Sequence, residues 1–577
     1  MAHDLVITNG LLVDGSGGLP RLADISIDRD RISGIHAPGT AGEAARTIDA
    51  TDRIVTPGFV DLHTHLDAQI AWDPFGSSSC WHGVTSVIMG NCGVTFAPCR
   101  PEDREYLAEM MESVEDIPAA SIMSGLPWDW QTYGEYLESL DRMDKGINVG
   151  GLVGHCALRY WAMGGRSLDP EENPTMDELA EMSRLLDEGI AAGALGMSTS
   201  RTLRHKVPDG RNVPGTFATA DELTILAEVM AARRRGIFEL APRFDGDGPS
   251  EPRAHSEIGW MRALSIRTGR PVTFNLTHTY ENPEHHQLAI ELARAANAAG
   301  AHIRPQTTAR GIGVLFSLQS STPFGRHPSW QELAALDFPE RVSAVSDPSW
   351  RRRLIDEAEA GPGADEIKMF FATGAASIPG ETADVPRYDC RPESSLPNIA
   401  AARGVSMAEA FLDLCVETDG RVLVYWPLLN QSIDAVGEML ADETVLMGLA
   451  DAGAHVGQIL DASQPTWFLS HWCRETGTFP IERAVQRLTS ETADFVGLDG
   501  RGRIAPGAFA DVNVIDMERL ALRMPEFAHD FPGGAGRWTQ RADGYDYTIV
   551  NGKVSLEDGE HTGEFSGQVL RSGPDIR

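Results

Sequence analysis

The 577-residue sequence sets 83 Asp and Glu against 49 Lys and Arg, and a net charge of −34 excludes surfaces for nucleic acid or anionic membrane, which are built on clustered basic residues. With 42% hydrophobic residues and no run near the roughly 20 apolar residues of a membrane helix, the chain is expected to be soluble, with one large domain and a smaller one. Its seven cysteines lack the paired spacing of a disulfide scaffold and no basic-then-apolar leader opens the chain, so a reducing cytoplasm is the expected compartment.

In chain order, Val6-Ile7-Thr8-Asn9-Gly10 near the start and Ile549-Val550-Asn551-Gly552 near the end each read as strand, Asn-Gly turn, strand. The two are expected to share a sheet. Further β-rich runs at 23–35, 46–55 and 510–516 extend it into a small β-sandwich domain built from residues 1–57 and 498–577. Between the ends, eight apolar runs alternate with helical patterns, at 58–63, 86–90, 148–154, 194–199, 236–240, 272–277, 302–307 and 445–450. That is α/β organisation, and eight parallel strands close a TIM (β/α)8 barrel, placed at 58–497. Apolar residues at helical spacing, stopped by Gly193, predict a helix over 176–192. The gap at 311–421, holding Trp330, Trp350 and Arg351-Arg352-Arg353, is too long for one crossover and predicts an insertion over the barrel's mouth.

Chemistry-bearing residues fall at the ends of these strands. His63-Thr64-His65 follows Pro57-Gly58-Phe59-Val60-Asp61-Leu62, and alternation puts both imidazoles on one side, able to grip a metal ion. Cys92, in Gly90-Asn91-Cys92-Gly93, offers a thiolate; an isolated cysteine would be read as inert and buried, like Cys80, Cys99, Cys156, Cys390, Cys415 and Cys473. His278 can add a nitrogen, or be a loop histidine. Asp451, in Ala450-Asp451-Ala452-Gly453, can carry a proton between an attacking water and a leaving nitrogen, although an aspartate after a strand is also a common helix cap.

Together these segments resemble the amidohydrolase superfamily and, within it, the D-aminoacylase (N-acyl-D-amino-acid deacylase) branch. The likeness runs from the opening strand through Val55 to His65, Gly90 to Gly93, Val153-Gly154-His155, Leu158-Arg159 and Ala194 to Thr199, to Ile504-Ala505-Pro506-Gly507, Ala510-Asp511 and Asp530-Phe531-Pro532-Gly533-Gly534. The resemblance implies one or two zinc ions, with His63, His65 and Asp451 at one position and Cys92 and His278 at the other. It also implies hydrolysis of a carbon–nitrogen amide bond in a small N-acyl substrate, with Asp451 as the proton carrier.

One family ligand is missing: where a histidine closes the fifth strand, the chain reads Leu240-Ala241-Pro242-Arg243. Glu239, two residues before Ala241, is a candidate oxygen ligand in its stead, although a buried glutamate can equally be satisfied by an arginine. Arg243 and Arg201 are candidate carboxylate clamps and His155 a candidate to orient substrate, each weighed evenly against a structural ion pair or core role. Oligomerisation is open. Two other readings stand: a cyclic-amide hydrolase of the hydantoinase or dihydroorotase kind, disfavoured because Gly196-Met197-Ser198-Thr199 lacks the bridging lysine, and a non-catalytic barrel relic.

Overall fold

Alternating apolar residues near both chain ends put one face of each terminal strand into a common core. The computed structural model describes residues 2–246, 249–361, 375–377, 385–386, 388–390 and 392–573. In it strands from the two ends share one nine-stranded sheet rather than the two large sheets of a sandwich, and the C-terminal part adds two small two-stranded sheets, Ala521–Leu522 with Ala542–Asp543 and Glu526–Ala528 with Arg537–Thr539. His3–Leu12 lies between Ile54–Pro57 and Arg21–Asp28, and the C-terminal strands Val512–Ile515, Tyr545–Val550 and Lys553–Glu557 continue beyond Ile54–Pro57. Leu5, Ile7, Ile25, Ile27, Val55, Val512, Val514 and Ile549 make its buried core.

The two Asn-Gly pairs behave differently. Asn551 (φ 46°) and Gly552 (φ 79°) form the expected turn between Tyr545–Val550 and Lys553–Glu557. Asn9-Gly10 does not turn; it is a bulge inside one strand, with the register to Arg21–Asp28 shifting between Ile7 and Gly10. Buried Asp24 accepts the Asn9 N–H at 2.9 Å, and a Cβ on Gly10 would sit 2.4 Å from Val55 Cγ2, so the glycine admits the neighbouring strand.

All eight expected inner strands are present and parallel to their neighbours, in two arcs: Phe59–Asp61, Val84–Met89 and Asn148–Gly151, then Val153–Gly154, Gly196–Ser200, Ile237–Ala241, Val272–Asn275, Ile303–Thr307 and Leu446–Met447. The segment expected as one strand over 148–154 breaks at Leu152, whose N–H donates to Met89 O at 3.0 Å. A parallel bridge between Thr64 and Ala452 links the first strand's end to the last. Helices cover the arcs; Met176–Ala192 starts in a capping box of Thr175 and Glu178 and stops at Gly193 (φ 115°), as its sequence requires.

Beyond Thr307 the chain leaves this pattern. Ile312–Phe316 pairs antiparallel with Leu423–Leu429, so the inserted region runs past the expected end at 421. Its helices bury a core of their own around Phe324, Trp330, Leu354 and Phe411. Among the described residues, no helix is long and apolar enough to cross a membrane.

Candidate metal centre

The strand Phe59–Asp61 runs out into Leu62-His63-Thr64-His65, and this extension is pinned from both sides. Thr64 N–H donates to Ile88 O (3.1 Å), its hydroxyl donates to the same oxygen (2.9 Å), and His65 N–H donates to Ala452 O (2.8 Å). With Thr64 committed to the neighbouring strand, alternation sends both imidazoles the other way, their rings 5.4 Å apart.

Cys92 follows Val84–Met89 in a left-handed turn, with φ of 76° at Gly90, 54° at Cys92 and 76° at Gly93. A Cβ on Gly90 would lie 2.4 Å from Leu152 O and one on Gly93 2.9 Å from Ser200 N, so the turn needs both glycines. It delivers the Cys92 Sγ to 3.5 Å from His63 Nε2. Asp451, itself at φ 46°, brings Oδ1 to 3.0 Å from His63 Nε2 and 3.5 Å from His65 Nε2. Ligand atoms of His63, His65 and Cys92 all lie within 4.8 Å of one another, and all three residues are buried. Two imidazole nitrogens and a thiol sulfur converging at this range, with a carboxylate oxygen facing both imidazoles, form a donor set suited to zinc.

Two further carboxylates stand behind the imidazoles. Glu239, expected as an oxygen ligand, instead accepts the Cys92 N–H at Oε2 (2.9 Å) and places Oε1 3.6 Å from His63 Nδ1, on the ring edge away from Asp451. Glu115, at the end of the helix Arg104–Glu115, places Oε1 3.5 Å from His65 Nδ1. A carboxylate behind each imidazole, at ion-pair distance, helps to orient its ring.

Burial opposes charge on both imidazoles, yet Asp451 beside His63 and Glu115 beside His65 outweigh it; both are held above the usual range, His65 at about 9. Burial would raise Asp451, but the two imidazoles hold it far below the usual carboxylate range. Burial pushes Glu239 up to about 7 and the Cys92 thiol well above its ordinary value.

The other sequence candidates are placed elsewhere. His278 stays out of the cluster: Asn275, Thr277 and Thr279 line the cleft, so alternation turns His278 outward, its ring 5.5 Å from those of His286 and Tyr280. Asn275 takes the inward place, with Nδ2 3.7 Å from Cys92 Sγ. His155 is buried between Thr199 Oγ1 (2.9 Å) and Glu222 Oε1 (2.9 Å), and Glu222 also pairs with Arg159 (2.8 Å). Arg201 is held by Glu257, with Nη2 2.9 Å from Oε1 and Nε 3.0 Å from Oε2. Arg243 lies half-buried, its guanidinium 5.8 Å from the Phe217 ring and outside the lining of the cleft. None of these three side chains is among the residues that line the cleft, and those of His155 and Arg201 are held by the buried carboxylates of Glu222 and Glu257.

His65, Cys92 and Asp451 open into a cleft of about 930 Å3. Glu115, Arg204, His205, Arg253 and His455 lie on its walls, and Ile312, Leu428, Leu429, Leu449 and Ile459 give it an apolar side. None of the polar wall residues was read from sequence, because they come from loops and a helix end, where no period marks which way a side chain points.

Converging histidines, a cysteine and an aspartate at the ends of parallel strands define a metal-dependent hydrolase. Residues 46–556 match the amidohydrolase family. An uncharacterised protein of Mycobacterium tuberculosis is 31% identical, the match covering 100% of this chain and 96% of that one. The N-acyl-D-glutamate deacylase of Alcaligenes xylosoxydans xylosoxydans is 28% identical, over 95% of this chain and 93% of its own. Among solved structures, the N-acyl-D-glutamate deacylase of Bordetella bronchiseptica, complexed with zinc and a phosphonate inhibitor, superposes with a TM-score of 0.65 at 25% identity, covering 99% and 100% of the two chains. The chain belongs to the amidohydrolase family, in its D-aminoacylase branch, and is a hydrolase of carbon–nitrogen bonds other than peptide bonds.

Proposed function

We propose that the protein deacylates N-acyl amino acids, of D configuration as in its named relatives, using zinc held by His63, His65, Cys92 and Asp451. The observation that carries this reading is the convergence of His63, His65 and Cys92, whose ligand atoms lie within 4.8 Å of one another, with Asp451 Oδ1 facing both Nε2 atoms. Bound zinc supplies charge that polarises a carbonyl and acidifies water. Asp451 takes the proton of the attacking water, Glu239 and Glu115 hold the imidazole rings, and Arg204 and Arg253 on the cleft wall meet the substrate's carboxylate. With Ala241 in the histidine's place and His278 turned outward, the site is read as holding one zinc tightly, not two.

In this reading the two parallel arcs close as a (β/α)8 barrel over 58–497, with the inserted region roofing the cleft, and residues 1–57 and 498–577 form a second, β-rich domain. The location consistent with this chemistry is the cytoplasm. The test is a panel of N-acyl D- and L-amino acids assayed beside elemental analysis. The reading expects close to one zinc per chain, loss of turnover on chelation, and preference for D substrates. Full turnover in protein stripped of transition metal would overturn it.

A further inference from the structure

Glu115 is more than the support of one ligand. Its side chain is only 4% exposed, and a carboxylate so buried needs partners on both oxygens. Oε1 faces His65 Nδ1; Oε2 lies 3.8 Å from Nε2 of His455, a residue on the cleft wall whose side chain is 34% exposed. The pairing is built into the backbone as well. The Glu115 carbonyl accepts the His455 N–H, and the next residue, Asp116, accepts from Gln458 Nε2 at 2.9 Å. His455 sits at φ 47° one tight turn after Asp451, closed by Ala454 N–H donating to Asp451 O at 2.9 Å. A left-handed non-glycine residue costs free energy, and here it keeps an imidazole facing the same cleft as the metal ligands.

From this geometry we infer that His455 is a second catalytic residue, the acid that protonates the leaving nitrogen, and that Glu115 is its positioning residue. The inference rests on the hydrolytic reading above. As the carbon–nitrogen bond of the tetrahedral intermediate breaks, the nitrogen keeps the bonding pair and takes a proton from the His455 imidazolium. The carboxylic acid and amine leave, Asp451 gives up to solvent the proton it took from the attacking water, and the neutral imidazole takes one up from solvent through its exposed edge, so the cycle closes. Glu115 stabilises the imidazolium and aims it. His65, His205, Asp451, Asp67, Cys92 and Asp116 are charged or titratable groups around the pair, and burial lowers His205 from its ordinary value. The division of labour gives Asp451 the proton of water and His455 the proton of the amine.

An acid for the leaving group matters most when that group is a poor one. An amide nitrogen needs the proton; the alkoxide of the matching ester needs it far less. The experiment compares zinc-loaded wild type with His455→Gln and Glu115→Gln on an N-acyl-D-amino acid and on the O-acyl ester of the corresponding 2-hydroxy acid, with zinc content measured throughout. His455→Gln is expected to lower kcat on the amide by about 10²-fold or more, the usual worth of a positioned acid, with less than about a fifth of that loss on the ester and zinc unchanged. Assayed with zinc held saturating, because Glu115 also backs His65, Glu115→Gln is expected to lose less on the amide and to add nothing in the double variant, since its remaining effect runs through His455. Equal losses on amide and ester, or additive losses in the double variant, would overturn the assignment. If the wild type does not cleave the N-acyl-amino acid, the deacylase reading falls. The same comparison on the cyclic amide it does open, against the matching lactone, then decides the role of His455.

Discussion

The first, second and eighth inner strands end in His63 and His65, Cys92, and Asp451, which gather around the two imidazoles, whereas the third to sixth end in residues of similar type that do not join them. His155 lies between Thr199 and Glu222, Arg201 is gripped by Glu257, and His278 faces His286. What separates the two sides is not residue type or strand-end position but the helices that follow. Glu222 in Ala220–Arg233 and Glu257 in Ser250–Thr268 bring buried carboxylates up to meet the strand-end cations. On the metal side, the carboxylates of Glu239 and Glu115 approach the imidazoles from behind and leave both Nε2 atoms facing Asp451. The opposite side is a scaffold made from the same letters.

The largest expected effect breaks the comparison on the metal side. Asp451→Asn keeps the size of the side chain and removes its base, so turnover should fall by roughly 10² to 10⁴-fold. Zinc content, measured on the same preparation, should drop little, because His63, His65 and Cys92 remain. Near wild-type turnover in the zinc-loaded variant would move the proton of water to another group.

The scaffold side should respond in stability instead. Glu222→Gln leaves Arg159 buried beside His155 without its carboxylate, and breaking a buried pair on one side costs about 3–5 kcal/mol. Burial works against the Glu222 charge, but His155 and Arg159 outweigh it and hold the carboxyl below its usual range. A carboxyl depressed in the folded state contributes stability that is complete above the unfolded value, near 4.3 for a glutamate, and is lost as pH falls through the folded value. Denaturant titrations at neutral and acid pH should therefore show the gap between wild type and variant closing towards acid. A variant as stable as the wild type at neutral pH, but slow in turnover, would return His155 to the substrate.

Glu239 joins the two sides, since it belongs to the fifth strand and reaches ligands on the first and second. Glu239→Gln should weaken zinc binding by roughly 10 to 100-fold, as loss of an outer carboxylate typically does, with the fold intact. Competition with a chelator measures it. Loss of all zinc, as for His63→Ala, would make Glu239 a ligand after all.

The sequence carried the inner strands because apolar runs flanked by glycine and helical spacing are local, and it carried His63, His65, Cys92 and Asp451 because their segments are too. Side-chain direction past a strand's end is not local. Asn275 rather than His278 faces inward because the strand Val272–Asn275 keeps its alternation through Thr277 and Thr279, which the motif Asn275-Leu276-Thr277-His278 does not reveal. Asn9-Gly10 looked like the Asn551-Gly552 turn, and only the distant Asp24 and Val55 make it a bulge. Glu115 was out of reach for the same reason: a helix terminus meets His65 and His455 through tertiary packing alone.

Arg243 gives the smallest expected effect and the sharpest edge to the comparison. Its sequence position, two residues beyond Ala241, suits a clamp for a substrate carboxylate. Its guanidinium nevertheless sits 5.8 Å from the Phe217 ring, where burial and the nearby Arg201 lower its affinity for a proton. Arg204 and Arg253, not Arg243, line the cleft. A hydrogen bond from a charged donor to substrate is worth about 1.5–3 kcal/mol, so removing a true clamp would raise KM by roughly ten- to a hundredfold. Arg243→Ala is instead expected to change KM for an N-acyl-amino acid by less than about threefold, while Arg204→Ala shows the larger rise. Steady-state kinetics on the two variants side by side measures the difference. A tenfold rise in KM for Arg243→Ala with kcat kept would place its guanidinium on the substrate, and one strand of the scaffold side would then belong to the active site.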